Sequence, residues 1–368
     1  MHDRDKAMNV IRWLKGGKIP PYQIEIIPTN GCNLDCSHCV LRGKPEHKPE
    51  EEMSDAEISR VVAEAACLGV KYVHISGGGE PLFRKETAIS MIREIRKKGM
   101  MCSMVTNGTL FDEESVRELV EIGMNQIVFS INGADDKTDD IIRCREGAFA
   151  LSSGAVKLFA GWKERLNRVE PKLIVAPVIS SQNYRSLPQM AKNAASWGAQ
   201  ELLAQPMTVR DTPEGRKLML DDRMKEEFAA IVEEAKAVAD SLGICTNLSQ
   251  IDSLVIDKST HMDEVVRADS EKNPGDELLS IPCYTPWFFM NIRSNGLVEP
   301  CGVHAESSES IREKSLEAIW YGRYFDEFRK QLMAGSIPKR CERCCAASVL
   351  GMTRQLRDEF VRLRDRNH

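Results

Sequence analysis

Cys32-Asn33-Leu34-Asp35-Cys36-Ser37-His38-Cys39 sets three thiols within eight residues. Spaced by three residues and then two, they reach one small inorganic core only if the loop wraps around it. Thiolates hold iron–sulfur clusters, and a cubane has four irons, so three protein ligands leave one iron open, as a catalytic metal site requires. A zinc knuckle is the alternative, and it needs a fourth ligand such as His38 or His47. The chain carries twelve cysteines but begins Met1-His2-Asp3-Arg4-Asp5-Lys6, without the apolar core of a secretory signal. A cytoplasmic, reducing setting is expected, where clustered cysteines bind metal or do chemistry rather than build a disulfide framework.

Around this loop, apolar β-type runs alternate with helical periodicity. The expected strands are Tyr22–Ile27, Tyr72–Ser76, Met101–Thr106, Gln126–Ile131, Lys172–Ile179 and Glu201–Pro206. Ser54-Asp55-Ala56-Glu57 opens one intervening helix as a capping box. Helices stop near Gly69, Gly99, Gly123 and Gly198, where a residue tolerating positive φ is needed. Strand–helix repeats imply a parallel sheet, since a parallel crossover needs a helix. The fold class is α/β: a partial (β/α)6 barrel is preferred over a flat doubly wound sheet. In either, ligands gather at the carboxyl ends of the strands.

The expected organisation is an N-terminal extension (1–20), the barrel core (21–210), a helix and polar linker (211–280) and a small cysteine-rich domain (281–368). The third part holds a long helix, Asp221–Leu242, a short strand and the polar stretch Asp252–Ser280. The chain is 42% hydrophobic and 29% charged with net charge −5, which suits a globular protein and leaves no overall footprint for nucleic acid or anionic membrane. No run of about 18 apolar residues is present to span a bilayer. The basic ending, eight Lys/Arg against four Asp/Glu from Lys339 to His368, reads as a solvated helix face.

The three-cysteine loop resembles the signature of the radical S-adenosylmethionine (radical SAM) superfamily, in which it follows the first barrel strand. The resemblance extends over residues 20–210. Ser76-Gly77-Gly78-Gly79-Glu80-Pro81 is similar to the family's Gly-Gly-Glu segment, which binds the methionine amino group; by itself it would be a tight turn. Glycines there would let backbone carbonyls approach an ammonium, with Glu80 adding charge. The resemblance implies cofactor contacts at Gly78, Gly79, Glu80, Asn107 (in Thr106-Asn107-Gly108), Ser130 and Asn132. Asp140-Ile141-Ile142-Arg143 is similar to a downstream Asp-x-x-Arg stretch whose Arg143 would pair with the methionine carboxylate. Asn183 is a further candidate of this kind. Cys32, Cys36 and Cys39 would hold the open [4Fe–4S] cluster that binds S-adenosylmethionine.

A second thiol set lies downstream. Cys283 is followed after twelve residues by Gly296 and after four more by Cys301; Cys341-Glu342-Arg343-Cys344-Cys345 comes later. Met290–Val298 reads as a hairpin around Asn295-Gly296, which would bring Cys283 and Cys301 to one end. With the Cys-x2-Cys pair this makes four thiolates and a closed site, suited to zinc or to iron–sulfur. The pattern resembles the SPASM/twitch extension of radical SAM enzymes. Leu350 stands where the longer form would continue with a cysteine, so the resemblance implies one auxiliary [4Fe–4S] cluster on Cys283, Cys301, Cys341 and Cys344. Cys345 is either an alternative last ligand or a small buried side chain. Cys67, Cys102, Cys144 and Cys245 are read as structural, with Cys144 adjacent to Arg143. Trp287, Phe288 and Phe289 would shield the cluster, with substrate stacking the other reading; Tyr284 is a candidate for hydrogen or electron transfer.

The resemblance implies an enzyme that reductively cleaves S-adenosylmethionine, with an electron donor such as flavodoxin or ferredoxin. A closed auxiliary cluster suits an electron acceptor in a net oxidation, dehydrogenation or bond formation; redox-neutral epimerisation is the rival. About twenty residues precede the first strand, which favours a small polar metabolite over a peptide, though a peptide-modifying maturase stays open. Arg210 would meet an anionic substrate or lie on the surface. No residue is singled out as general acid, base or hydrogen donor. A non-catalytic iron–sulfur or zinc protein is the reading from another class; the Gly78–Glu80 segment argues against it.

Overall fold

Strand β1 (Gln23–Ile26), which leads into the cysteine loop, alternates half-buried Gln23 and Glu25 with buried Ile24 and Ile26, the period of a pleated strand. The computed structural model of the chain describes residues 2–39, 48–207, 213–251, 278–302, 307, 309–336, 338, 341 and 347–365. His47, Arg210, Cys344, Cys345 and residues 252–277 of the polar stretch lie outside them. The chain forms two compact units, each from separated segments: residues 1–26, 53–74 and 258–368 in one, 27–52 and 75–257 in the other.

Helix α1 (His2–Leu14) precedes β1. Then come α2 (Asp55–Leu68), β2 (Tyr72–Ile75), α3 (Lys85–Lys97), β3 (Met101–Thr106), α4 (Glu113–Ile122) and β4 (Gln126–Phe129). Next are α5 (Asp136–Arg143), α6 (Ala148–Arg165), β5 (Lys172–Val175), β6 (Val178–Ile179), α7 (Leu187–Ser196), β7 (Glu201–Leu202) and β8 (Gln205–Pro206). After α8 (Pro213–Lys217), α9 (Asp222–Leu242) and β9 (Cys245–Thr246) stand β10 (Phe289–Ile292) and β11 (Val298–Glu299). The helices Leu316–Trp320, Arg323–Met333 and Ala347–Asp365 follow.

In the second unit, β3 pairs with β4, β4 with β5, β5 with β7 and β7 with β9, all parallel. Val128, Ile174 and Ala176 form an apolar cluster with Val105 and Leu203 against it. The runs Lys172–Ile179 and Glu201–Pro206, each expected as one strand, are broken. Pro177 has no N–H to continue the ladder, so β6 leaves the main sheet and pairs in parallel with β8.

In the first unit, β1 pairs in parallel with β10, and β10 pairs antiparallel with β11. The expected hairpin is there, with Asn295-Gly296 inside a longer connection. Arg293 N–H donates to Leu297 O at 2.8 Å, and Gly296 takes the left-handed conformation at φ 81°. The Ser54 capping box forms: Ser54 N–H donates to Glu57 Oε2 at 2.8 Å and Glu57 N–H to Ser54 Oγ at 3.3 Å. Helix α1, within the stretch expected only as an extension, buries Ala7 and Val10 in a cluster with Trp287, Phe288, Leu356 and Phe360. Among the described residues, no helix is long and apolar enough to cross a membrane.

Candidate functional site

The cysteine loop is fastened in the second unit through its backbone. Gly79 N–H donates to Thr29 O and Glu80 N–H to Gly31 O, both at 2.9 Å. Gly78 is left-handed at φ 58°, and a Cβ on Gly79 would collide with the Gly31 carbonyl. The glycines thus admit the backbone of the cysteine loop itself. Farther along, Ser37 N–H donates to Ile142 O at 2.8 Å and Cys39 N–H to Cys36 O at 3.0 Å.

Glu80 is buried at 2% exposure and ties strand ends together. Its carboxylate accepts from Thr106 Oγ1 at 2.7 Å, Asn107 N–H at 2.6 Å and Leu82 N–H at 3.1 Å. Burial pushes its pKa up against these hydrogen bonds. Asn107 extends the network: Nδ2 donates to Asn33 Oδ1 at 2.9 Å and lies 4.0 Å from Cys32 Sγ. Its Oδ1 accepts from Thr109 N–H at 2.9 Å.

Arg143 is fully buried, and the structure uses it as a brace. Nε lies 3.0 Å from Asp139 Oδ2, Nη1 donates to Asn107 O and Ser152 Oγ, each at 2.8 Å, and Nη2 donates to Ser130 O. Asp139 in turn accepts from Asn132 N–H at 2.6 Å and Gly133 N–H at 3.0 Å. Asp140, singled out with Arg143 in the sequence, instead accepts from Gly147 and Phe149 N–H at the start of α6. Asn132 Oδ1 accepts from Val178 N–H at 2.8 Å, and Asn183 Nδ2 donates to Asn132 O at 2.8 Å. Gly79, Glu80, Asn107, Ser130, Asn132 and Arg143 therefore belong to one continuous hydrogen-bonded frame beside the cysteine loop, and Gly78 supplies the left-handed turn that leads into it. Sequence reading missed Asp139, Asn33 and Ser152; the i,i+4 spacing of Asp139 and Arg143 on α5 was the available signal.

The thiols sense one another. Burial raises the Cys36 thiol to about 12, opposed by Arg143 and reinforced by Cys39 and Cys32. Burial also raises Cys32, with Glu80 and Cys39 adding to it. Three sulfurs whose ionised forms disfavour each other are stabilised together by a multivalent cationic core. Among the described residues, no group of three or more His, Cys, Asp or Glu side chains is arranged to hold a single metal ion. The donor chemistry fits an iron–sulfur core, whose irons divide the ligands between them. None of the described cysteines is disulfide-bonded.

The family model described as the radical SAM superfamily matches residues 26–161, and that of SPASM, an iron–sulfur cluster-binding domain, matches residues 283–345. The chain carries a radical SAM domain followed by a SPASM domain. It is similar to the tungsten-containing aldehyde ferredoxin oxidoreductase cofactor-modifying protein of Pyrococcus furiosus, 24% identical over 82% of this chain and 81% of that one. It is 28% identical to the PqqA peptide cyclase of Granulibacter bethesdensis over 88% of this chain and 80% of that one. SuiB of Streptococcus suis, solved with S-adenosylmethionine, is 16% identical with a TM-score of 0.63, covering 91% of this chain and 81% of that one. With the precursor peptide SuiA bound, the TM-score is 0.61 at 20% identity, covering 88% and 70%. The α/β radical SAM fold with a C-terminal cluster domain is thus the fold expected from the sequence. This radical SAM protein is an enzyme, and its cofactors are S-adenosylmethionine and iron–sulfur clusters.

The SPASM match spans every cysteine of the second set. Cys283 and Cys341 pack against the same apolar cluster, which also buries Trp287, Phe288 and Phe289. Burial pushes the Cys283 thiol up, opposed by Thr285, Thr353 and Arg357. Cys301 is partly buried beyond β11, and Tyr284 donates its hydroxyl to Leu278 O at 2.6 Å. Elsewhere, Cys102 is buried, Cys67 and Cys245 are exposed, and exposed Cys144 caps α5 in the left-handed region at φ 55°. A polar set the sequence reading passed over lies nearby in this unit. Glu25 and Asn291 stand in register on β1 and β10, with Asn291 Nδ2 donating to Glu25 Oε2 at 3.0 Å.

Proposed function

We propose that this radical SAM enzyme carries out a net oxidation of a peptide, with Cys32, Cys36 and Cys39 as ligands of the catalytic cluster. Cys283, Cys301, Cys341 and one of Cys344 or Cys345 would hold one auxiliary [4Fe–4S] cluster. When bound and reduced by a flavodoxin or ferredoxin, the catalytic cluster and S-adenosylmethionine supply a 5′-deoxyadenosyl radical that takes a hydrogen atom from the substrate. The chain's own part is placement. Glu80, Asn107 and the Asp139–Arg143 pair hold the strand ends in one frame, and Gly78–Gly79 fix the loop that presents the thiols. Closed ligation at the second set suits electron acceptance.

The observation that carries the peptide reading is the similarity to PqqA peptide cyclase along 88% of this chain. A small polar molecule is a second reading, favoured by the similarity to the cofactor-modifying protein. Anaerobic incubation with S-adenosylmethionine, dithionite and peptides encoded beside the gene tests the first. The expected result is 5′-deoxyadenosine formed in step with a peptide lighter by two hydrogens. 5′-Deoxyadenosine without any change in those peptides, together with turnover of a small polar molecule, moves the second reading ahead.

A further inference from the structure

The sulfur of Cys283 stands at the meeting point of several donors. The Thr285 hydroxyl oxygen is 3.2 Å away, and the Thr285 backbone N–H and the Thr353 side chain also hydrogen-bond to it. Arg357 acts on the same sulfur through its charge. Thr353 and Arg357 lie four residues apart on the helix Ala347–Asp365, hence on one face of it. All three side chains are buried, at 3%, 3% and 7% exposure for Thr285, Thr353 and Arg357. Arg357 is fixed by donating from Nη2 to Ile281 O at 2.9 Å.

This convergence has an electrostatic meaning at a cluster ligand. A cluster that gains one electron carries one more negative charge, part of it on the thiolate sulfurs. Donors and a cation aimed at one sulfur stabilise the reduced form more than the oxidised form. The effect is larger in a buried setting than in water. Aromatic shielding by Trp287 and Phe288 alone would work in the opposite direction, since it disfavours added charge.

We propose that Thr285, Thr353 and Arg357 are positioning residues that raise the reduction potential of the auxiliary cluster and so fit it to accept an electron. This rests on Cys283 being one of its ligands and on the acceptor role proposed above. A second consequence concerns chain order: the helix that begins at Ala347, after the Cys-x2-Cys pair, returns two of its side chains to the ligand that opens the set.

The test is an anaerobic redox titration of the reconstituted enzyme, followed by electron paramagnetic resonance of the auxiliary signal. Thr285→Val and Thr353→Val remove one hydroxyl each with little change of shape. At a fixed applied potential each should lower the reduced-to-oxidised ratio about tenfold, which is about 59 mV for one electron. Thr285→Ser, which keeps the hydroxyl, should titrate like the unsubstituted enzyme. Unchanged potentials in Val variants that retain their iron overturn the proposal. Pulsed resonance of the unsubstituted enzyme in deuterium oxide needs no variant: strongly coupled exchangeable deuterons at the reduced auxiliary cluster are expected, and their absence also overturns it. Cys283→Ser distinguishes the underlying reading. Loss or marked alteration of the auxiliary signal supports the ligand assignment, whereas an unaltered signal shows that the assignment itself is wrong.

Discussion

Replacing Arg143 with methionine separates a structural brace from a cofactor contact. The substitution leaves the Asp139 carboxylate buried with only the Asn132 and Gly133 N–H groups facing it. The carbonyl of Asn107 keeps its bond from Ser152 Oγ at 2.7 Å, so the lost ion pair dominates the cost. Breaking a buried pair from one side costs about 3–5 kcal/mol. Hydrogen exchange across residues 126–165 should therefore quicken by about a hundredfold or more where it reports this local opening. Asp139→Asn combined with Arg143→Met removes the stranded charge and should recover roughly half of the loss. Burial already raises Asp139, with Arg143 its chief counterweight, so the single variant's deficit should shrink as pH falls and the carboxyl takes up a proton. The measurement is anaerobic exchange mass spectrometry of the reconstituted enzyme beside S-adenosylmethionine affinity. Unchanged exchange with affinity reduced tenfold or more would refute the brace and return Arg143 to the carboxylate contact implied by the family resemblance.

Three further outcomes follow from the same geometry. Gly79→Ala places a methyl group against the Gly31 carbonyl; it should abolish S-adenosylmethionine cleavage and lower bound iron, measured by colorimetric assay, while the auxiliary signal persists. Cys32→Ala/Cys36→Ala/Cys39→Ala should reduce reconstituted iron from about eight to about four per chain and end 5′-deoxyadenosine release, whereas eight irons retained would contradict the first ligand set. Glu57 is held at about 2 by Arg312 and the Ser54 capping box. Its stabilisation is present above the unfolded value near 4.3 and is lost as pH falls through 2, so Glu57→Gln should cost about 1 kcal/mol at pH 7 after solvent screening and almost nothing near pH 2, measured by urea unfolding.

Local chemistry was legible in the sequence, and long-range pairing was not. The Ser54–Glu57 box and the helix stops at Gly69 and Gly123 are decided within a few residues, and they form as read. The cysteine spacing is similarly local, since thiols so close together in a loop leave little other use. Pro177 was visible, but apolar residues on both sides masked the break it makes in the ladder. The partners of Arg143 were out of reach because three of them are the Asn107 and Ser130 carbonyls and the Ser152 hydroxyl, supplied by folding rather than by a motif. The start of the chain carries Asp3 and Asp5 in its first helical turn and only a narrow apolar face. Its helix gains a reason to exist once Leu356 and Phe360 are brought beside Ala7 and Val10.

The discontinuous first unit has a consequence for synthesis. Its earliest helix, His2–Leu14, leaves the ribosome hundreds of residues before Ala347–Asp365, whose side chains share its apolar cluster. The second unit ends at residue 257, so all of its chain, including Cys32, Cys36 and Cys39, is made before the first unit is complete. At ordinary elongation rates the remaining segment takes on the order of ten seconds. During that interval Ala7 and Val10 have no completed cluster to enter, while the loop that presents the first three thiols already has its entire supporting frame. Vectorial growth thus imposes an order: the three-cysteine loop can take its shape before the second thiol set has all of its cysteines.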